Sequence, residues 1–423
     1  MAREMKDSGI EWIGEIPAEW DVSKVKYYVE CYDGKRVPVD ASLRTKGVYP
    51  YWGAGSITDY VSDYLFDEEL ILLGEDGAPF FDDTRPVAFL INEKVWVNNH
   101  IHVLKPHKTV ESRFLVYWLN NVDYKAYING SILNKLTQAN MNKIAFAAPC
   151  LLEQHRIADF LDRKCTEIDR VLEKTRASIE EYKKLKQSVI TQAVTKGIRG
   201  EREMKDSGIE WIGDIPSEWS RVKGRCIISN TQNGLTRRDL VKSEGCIVLK
   251  LKNMNANGFI DYSEESRIQL TDKEIETYQL CEGDFLFVRV NGSKNLVGKC
   301  AIFHDIGETV AYNDHIIRVK LNNFCAKNFF RYYLLSVSGK IEIDLHTSTA
   351  AGQFTISGEG LRELNMPLPP VYEQQEISNY LDCKCAEIDT LISKKEQLIT
   401  ELEAYKKSLI YEYVTGKKEV IYG

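Results

Sequence analysis

The chain has no run of about 18 apolar residues; Ala145 to Leu152 is among the longest apolar stretches, and Pro149 breaks it, so no bilayer-spanning helix is expected. Met1 to Ile10 lacks the basic flank and apolar core of a secretory signal, and the expected location is the cytoplasm. Proline is scarce, 11 against 27 glycines, and with 43% hydrophobic and 28% charged residues this excludes collagenous, fibrous and disordered classes. Ten cysteines are scattered, and only Cys383 and Cys385 lie close together. That pattern argues for reduced structural thiols, with a redox or metal role as the lesser alternative. Nor is there a basic excess. With 55 Lys+Arg against 62 Asp+Glu the formal charge is -7, so any polyanion site must be local. At about 150 residues per domain, the length implies two or three domains.

What the chain does have is an internal repeat. Arg3 to Trp20 (REMKDSGIEWIGEIPAEW) and Arg202 to Trp219 (REMKDSGIEWIGDIPSEW) agree at 16 of 18 positions at an offset of 199. Glu153 to Thr195 and Glu373 to Thr415 share 18 of 43 positions at an offset of 220. Between these anchors the match is weak. Ile71 to Gly77 parallels Leu286 to Gly292, and Asn98 to Ile101 parallels Asn313 to Ile316, both at 215. The ends repeat and the centres diverge, so the frames share a job and the centres do different ones.

The second repeated segment predicts a coiled-coil helix. Apolar positions step 4, 3, 4, 3 through Leu161, Cys165, Ile168, Leu172, Thr175, Ile179, Tyr182, Lys186, Val189 and Ala193. The second copy keeps the register: Leu381, Cys385, Ile388, Ile392, Lys395, Ile399, Leu402, Lys406, Leu409 and Tyr413. Gly197 and Gly416 stand where helix stops belong. Each helix spans about 43 residues, or roughly 64 Å. An amphipathic helix lying on its own domain is the plainer reading. A helix this long overhangs such a domain, however, and a matching seam exists in the same chain, so an intramolecular pair is expected. Because the first helix must carry the chain to the second globular part, the pair should be antiparallel, with one domain at each end and pseudo-two-fold symmetry.

The globular parts read as mixed α/β. Strands are expected at Glu69–Leu73, Val87–Ile91, Val95–Leu104, Cys246–Leu251, Asp284–Val290, Lys299–Phe303 and Ile316–Leu321, with short helices at Glu111–Asn120 and Ala326–Ser336.

Catalytic patterns fail on inspection. Gly292 to Lys299 (GSKNLVGK) has the wrong glycine spacing for a phosphate loop, and Cys300 replaces the magnesium-binding hydroxyl. Tyr51 to Gly55 lacks a following helix start, and no Asn-Pro-Pro-aromatic tetrapeptide occurs. Asp162-Arg163-Lys164 and Asp382-Cys383-Lys384 have a nuclease-like spacing but sit on the helix, where a solvated face is the better reading. His100 and His315 are the only histidines duplicated in position; each is either a structural histidine or a group shown to a ligand.

Local charge is more informative. Arg221 to Lys252 holds eight Lys+Arg against two acids, and Val22 to Gly53 holds six against three. A solvated basic face explains either block alone, but recurrence at equivalent places favours DNA. Candidate contacts are Gln232, Asn233, Arg237, Arg238, Lys250, Lys252 and Asn253 in the second half, and Lys35 and Arg36 in the first. The turn residues Asn98, Asn99, His100, Asn291, Ser293, Lys294 and His315 complete the set.

Together the motifs GIEWIGEIPAEW and GIEWIGDIPSEW, the strings AAPCLLEQHRIADFLD and PLPPVYEQQEISNYLD, and the helical tails resemble the specificity subunit of type I restriction-modification systems. The resemblance implies an α+β chain with target-recognition domains at 1–152 and 201–372 and spacer helices at 153–200 and 373–423. Each domain would read half of a bipartite double-stranded DNA site, and the helices would bind two methyltransferase subunits. Restriction/translocase subunits would join them. This chain would hold no cofactor or metal and perform no catalysis; S-adenosylmethionine, ATP and magnesium would act in the partners, and no membrane is involved. Cys150, where the second copy has Pro370, is one departure and bears on the direction in which the first helix starts. Two other classes stay open: a coiled-coil scaffold with two protein-binding ends, and a free-standing enzyme.

Overall fold

The computed structural model describes residues 3–82, 84–128, 134–237, 245–254, 260–350 and 352–420. It divides into two compact units, residues 1–176 with 397–423, and residues 177–396. Among the described residues no helix is long and apolar enough to cross a membrane.

The first unit holds two four-stranded sheets. One runs Val29–Cys31, Ile101–Pro106, Leu70–Gly74, Ala88–Ile91. The other runs Ile57–Val61, Lys46–Trp52, Lys94–Val97, Phe66–Asp67, with its second and third strands parallel. The second unit repeats both. Ile228–Asn233, Ile316–Leu321, Phe285–Val288 and Cys300–Ile302 form the first, and Arg267–Ile268, Cys246–Leu249 and Val310–Tyr312 form the second, again with one parallel pair. The diverged centres therefore share one scaffold. Among the described residues only the second unit adds a small sheet of Val290–Asn291, Gln353–Ile356 and Thr347–Ala350.

Strand register corrects the repeat alignment. Ile71 lies opposite Leu104 and Phe285 opposite Val319, so this strand is equivalent at an offset of 214, not 215. The extra residue is taken up in the turn before Gly77 and Gly292, where loop geometry absorbs it without flipping the strand's faces. The single strand expected over Val95–Leu104 is in fact two, Lys94–Val97 and Ile101–Pro106. Residues 98–100 carry the chain from one sheet to the other; Lys94–Val97 buries every second residue and Ile101–Leu104 is buried throughout, and both read as apolar strand sequence, so the break is hidden. The short helices are Ser112–Leu119, capped by Glu111, and Lys327–Leu335.

The long helices are Leu151–Lys196 and Val371–Val414. Their predicted seam is buried at Leu161, Cys165, Ile168, Leu172, Ile179, Leu381, Cys385, Ile388 and Leu409, and half-buried at Tyr182, Val189, Ile392, Ile399 and Leu402. Within each unit the helical segments of this seam are antiparallel. In the first, Asp169 meets Lys406 at 2.6 Å and Arg176 meets Glu403 at 2.6 Å. In the second, Lys186 meets Asp389 at 2.6 Å. Asp169–Lys406 and Asp389–Lys186 are repeat equivalents, which explains the lysine in each apolar seam. Such exposed pairs add little stability, but they favour one register over its neighbours.

Each helix stops at a left-handed glycine, Gly197 (φ 81°) and Gly416 (φ 73°). A Cβ at Gly416 would stand 2.4 Å from Pro17 Cδ, and one at Gly197 would stand 3.3 Å from Trp219. Helix stop and opening motif therefore pack as one piece. At the other end of each helix a buried glutamine is a clamp that the sequence reading missed. Gln154 accepts from Glu111 N (2.9 Å) and donates to Pro149 O (2.9 Å). Gln374 does the same with Ala326 N (2.7 Å) and Pro369 O (2.8 Å). The helical carboxylates read as solvated are also engaged. Asp162 accepts from Arg113 (2.7 Å) and the Tyr117 hydroxyl (2.8 Å), and Asp382 accepts from the Tyr332 hydroxyl (2.6 Å). They fasten the short helix to the long one, and burial beside Asp162 pushes the Tyr117 hydroxyl up.

Candidate nucleic-acid interface

In each unit the ends of three strands bring polar turns to one edge. In the first, Asn98 N donates to Trp52 O (3.0 Å) and Glu75 N to His100 O (3.1 Å). In the second, Asn313 N donates to Leu249 O (3.0 Å), Arg289 N to His315 O (2.7 Å) and Asp314 N to Leu235 O (2.9 Å). The turns 98–100 and 313–315 are thus held alike, and Arg289 stands where Glu75 does. Strand ends are suited to ligand contact because the scaffold fixes their backbone while their side chains vary freely.

The first unit presents Lys35, Asn99 and His100 as exposed side chains and Asn98 as half-buried. Lys35 Nζ lies 3.2 Å from the centre of the Tyr32 ring. A cleft of about 410 Å³ opens among Arg44, Thr58, Asp76, Asn98 and His100. Arg44, which the sequence reading passed over, stacks on Tyr51 at 4.0 Å and reaches Asp59 at 3.4 Å.

Arg36 departs from its expected role as a DNA contact. Its side chain is only 12% exposed, with Nη1 2.6 Å from Glu75 Oε2 and 2.8 Å from Ile101 O. Beside it the buried His102 faces Asp33 Oδ2 (2.6 Å) through Nδ1 and Leu136 O (2.8 Å) through Nε2. Asp33, Glu75 and His102 bring ligand atoms within 4.8 Å of one another, as a metal site does, but the Arg36 guanidinium supplies the positive charge there. Burial pushes the Asp33 carboxyl up, while the hydrogen bond and charge of His102, the Val103 N–H and Arg36 pull it down further, leaving it below its ordinary value. A carboxyl depressed in the folded state stabilises above its unfolded value, about 3.9, and loses that contribution as pH falls through the folded one. Asp33→Asn should therefore be less stable than the parent at neutral pH, and the two unfolding temperatures should converge as the pH is lowered below about 4. A gap that persists in acid would remove the carboxylate as its cause.

In the second unit Asn233, Arg237, Lys252, Ser293 and Lys294 are exposed, and Gln232, Lys250, Asn291 and His315 are half-buried. Arg237 Nη1 donates to both Glu274 oxygens (2.8 and 2.9 Å), and this contact together with the Thr271 N–H and hydroxyl holds the Glu274 carboxyl down to about 2. Lys252 pairs with Glu264, and Lys294 lies 3.7 Å from Asp344. Asn253 departs from its expected role. It is 3% exposed, and its amide bonds Asp261 O (2.8 Å), Glu264 O (3.1 Å) and Lys250 N (2.9 Å). It shapes the loop and has no donor left for a base. Arg238 lies outside the described residues. Arg289 was also missed, because the alignment at 215 set it against Gly74 instead of Glu75.

The sequence matches the type I restriction modification DNA specificity domain family over residues 17–181 and 236–404. It is 26% identical to the type I restriction enzyme StySPI specificity subunit of Salmonella potsdam, covering 74% of this chain and 67% of that one. It is 22% identical to the MjaVIII specificity subunit of Methanocaldococcus jannaschii over 96% of this chain and 94% of that one. Among solved structures it superposes on a chain from work on complex assembly and conformational transition of the type I R-M system, with a TM-score of 0.71, 12% identity and coverage of 95% and 99%. It also superposes on the HsdS subunit from Thermoanaerobacter tengcongensis, with a TM-score of 0.51, 14% identity and coverage of 95% and 98%.

Proposed function

Because the chain belongs to the type I restriction modification DNA specificity family, we propose that each unit's loop edge reads one half of a bipartite double-stranded DNA site. The observation that carries this is one scaffold built twice with different side chains at matching places on and beside its turns, Asn99 against Asp314 and Glu75 against Arg289. Shared strands hold the position of the turns, and unlike turns read unlike bases.

The long helices, in this proposal, set the number of base pairs left unread and dock two methyltransferase subunits. Support for docking comes from apolar side chains just outside the seam. Val171, Leu398 and Tyr405 in the first unit and Leu185 and Leu391 in the second are between 40% and 55% exposed. Val171 corresponds to Leu391 and Leu185 to Tyr405 in the repeat, and all five precede a seam position. An apolar stripe wider than two helices need suits further helices packing beside them, and its repetition suits the same partner twice. The chain itself performs no chemistry in this proposal: methyl transfer from S-adenosylmethionine and ATP- and magnesium-dependent cleavage belong to the partners.

The test is selection of a random duplex library by the chain assembled with its methyltransferase partners. Two short conserved blocks separated by a fixed unread spacer are expected, whereas a scaffold for proteins would enrich nothing. Seven residues inserted after Ile179 and after Ile399 should lengthen each helix by about 10 Å and the preferred spacer by about three base pairs. The same insertion also turns the second half-site by roughly 100°, so a loss of affinity is expected with it. An unchanged spacer with both half-sites still read would show that the helices do not set it.

A further inference from the structure

Resting on that DNA reading, the geometry points to Arg36 and Arg289 as equivalent positioning residues, one in each unit, that hold the base-reading turn in its working orientation. In the first unit Arg36 Nη1 donates to Asn99 O (3.4 Å) as well as to Ile101 O (2.8 Å). In the second, Arg289 Nη1 donates to Asp314 O (2.9 Å). Asn99 and Asp314 are the middle residues of the two turns, so both guanidiniums grip the same carbonyl oxygen of the scaffold. They reach it from different places. Arg36 follows the first strand of its sheet, whereas Arg289 follows the strand Phe285–Val288, at the position that is Glu75 in the first unit.

The gripped oxygen belongs to the peptide between Asn99 and His100, or between Asp314 and His315. That oxygen moves with any change of ψ at Asn99 or φ at His100, and of Asp314 or His315 in the second unit, so fixing it restrains both torsions and with them the course of the turn from which the two readers project. A guanidinium suits this because its fork can serve several acceptors at once and stays charged. In the first unit Glu75 Oε2 (2.6 Å) and the Asp33 carbonyl (3.0 Å, from Nε) hold the fork from behind. In the second, the Arg289 backbone ties the turn to the hairpin, its N–H donating to His315 O (2.7 Å) and its carbonyl accepting from Ile356 N (3.0 Å). Packing alone would be met by an apolar side chain in either place. Two halves whose centres have otherwise diverged instead bring the same group to the same atom.

The experiment is the duplex selection repeated with complexes carrying Arg36→Met or Arg289→Met, alongside the salt dependence of binding. R36M should lower base discrimination at the half-site of the first unit by about tenfold, the worth of one good base contact, and leave the other half-site unchanged. R289M should do the reverse, and neither should change the salt slope. Arg36→Lys, Arg289→Lys and Glu75→Gln retain a polar side chain at each place and guard against a methionine variant that fails to assemble. Each should relax its own half-site in the same direction but less. Unchanged discrimination in these variants, equal loss at both half-sites, or a uniform loss of affinity with a smaller salt slope would overturn the assignment, the last by making the arginine a phosphate contact. A parent complex that selects no bipartite site would overturn the DNA reading first, and this inference with it.

Discussion

Replacing Arg202 with methionine is expected to cost the second unit roughly 3–5 kcal/mol, the usual penalty for leaving a buried charge without its partner. The Glu373 side chain is fully buried; its carboxylate accepts from Arg202 Nη1 at 2.6 Å and from the Trp219 indole N–H at 2.9 Å. With Arg202 gone, one indole N–H remains to hold the charge. The matching change in the first unit should cost much less. There Glu153, the partner of Arg3, is 22% exposed, and water can replace the guanidinium. The two tryptophans differ as well, since among the described residues the Trp20 indole nitrogen has no hydrogen-bond partner. Replacing Arg202 and Glu373 together with apolar residues should recover most of the loss, because the penalty lies in the unpaired charge rather than in the missing attraction. Denaturant unfolding followed by hydrogen exchange in the strand Asp214–Pro216 and the helix Lys327–Leu335 reports on this unit alone. A cost below about 1 kcal/mol for R202M would mean that water already reaches Glu373.

If the long helices dock two methyltransferase subunits, as proposed, charged substitutions beside the helical seam should remove one of them at a time. Leu185→Glu with Leu391→Glu alters the second unit, and Val171→Glu with Tyr405→Glu alters the first. These side chains are already partly in water, so the chain's own stability should change little. If a methyltransferase subunit covers them, each double variant loses two apolar contacts worth roughly 0.7–1.5 kcal/mol apiece, about half of full burial because the side chains are about half exposed. It also forces carboxylates into an apolar interface, and affinity should fall by at least about tenfold on those figures. Native mass spectrometry should then show one partner subunit per chain instead of two, whichever pair is changed. Two subunits still bound in both variants would place the docking surface elsewhere.

The parts legible in the sequence are those whose signal is local. A heptad repeat needs only neighbours along one helix, so the seam from Leu161 to Leu409 was readable residue by residue, including the two lysines whose aspartate partners emerged only from the structure. Strand pairing depends on residues distant in the chain. One added residue in a turn was enough to misalign Ile71 with Leu286 and so to hide Arg289 behind the wrong counterpart. Arg36 and Asn253 show the other limit. A guanidinium or amide in a basic stretch has the same sequence signature whether it faces water or folds inward onto carbonyls, and burial decides between them.

The division of the chain into units has a kinetic consequence. The first unit is completed by residues 397–423, and Tyr411 donates its hydroxyl to Trp12 O across 399 positions. At the ribosome's pace of about 5–20 residues per second, the 220 intervening residues delay that closure by roughly 10 to 45 seconds. The unit begun first is therefore finished last, while residues 177–396 form a unit without any later segment. Until then the half-seam of Leu161, Cys165, Ile168 and Leu172 lacks the part of its cover that Ile399, Leu402 and Leu409 supply. An identical tail from a second nascent chain presents the same complementary surface, so exchange of tails between neighbouring chains competes with closure whenever local concentration is high.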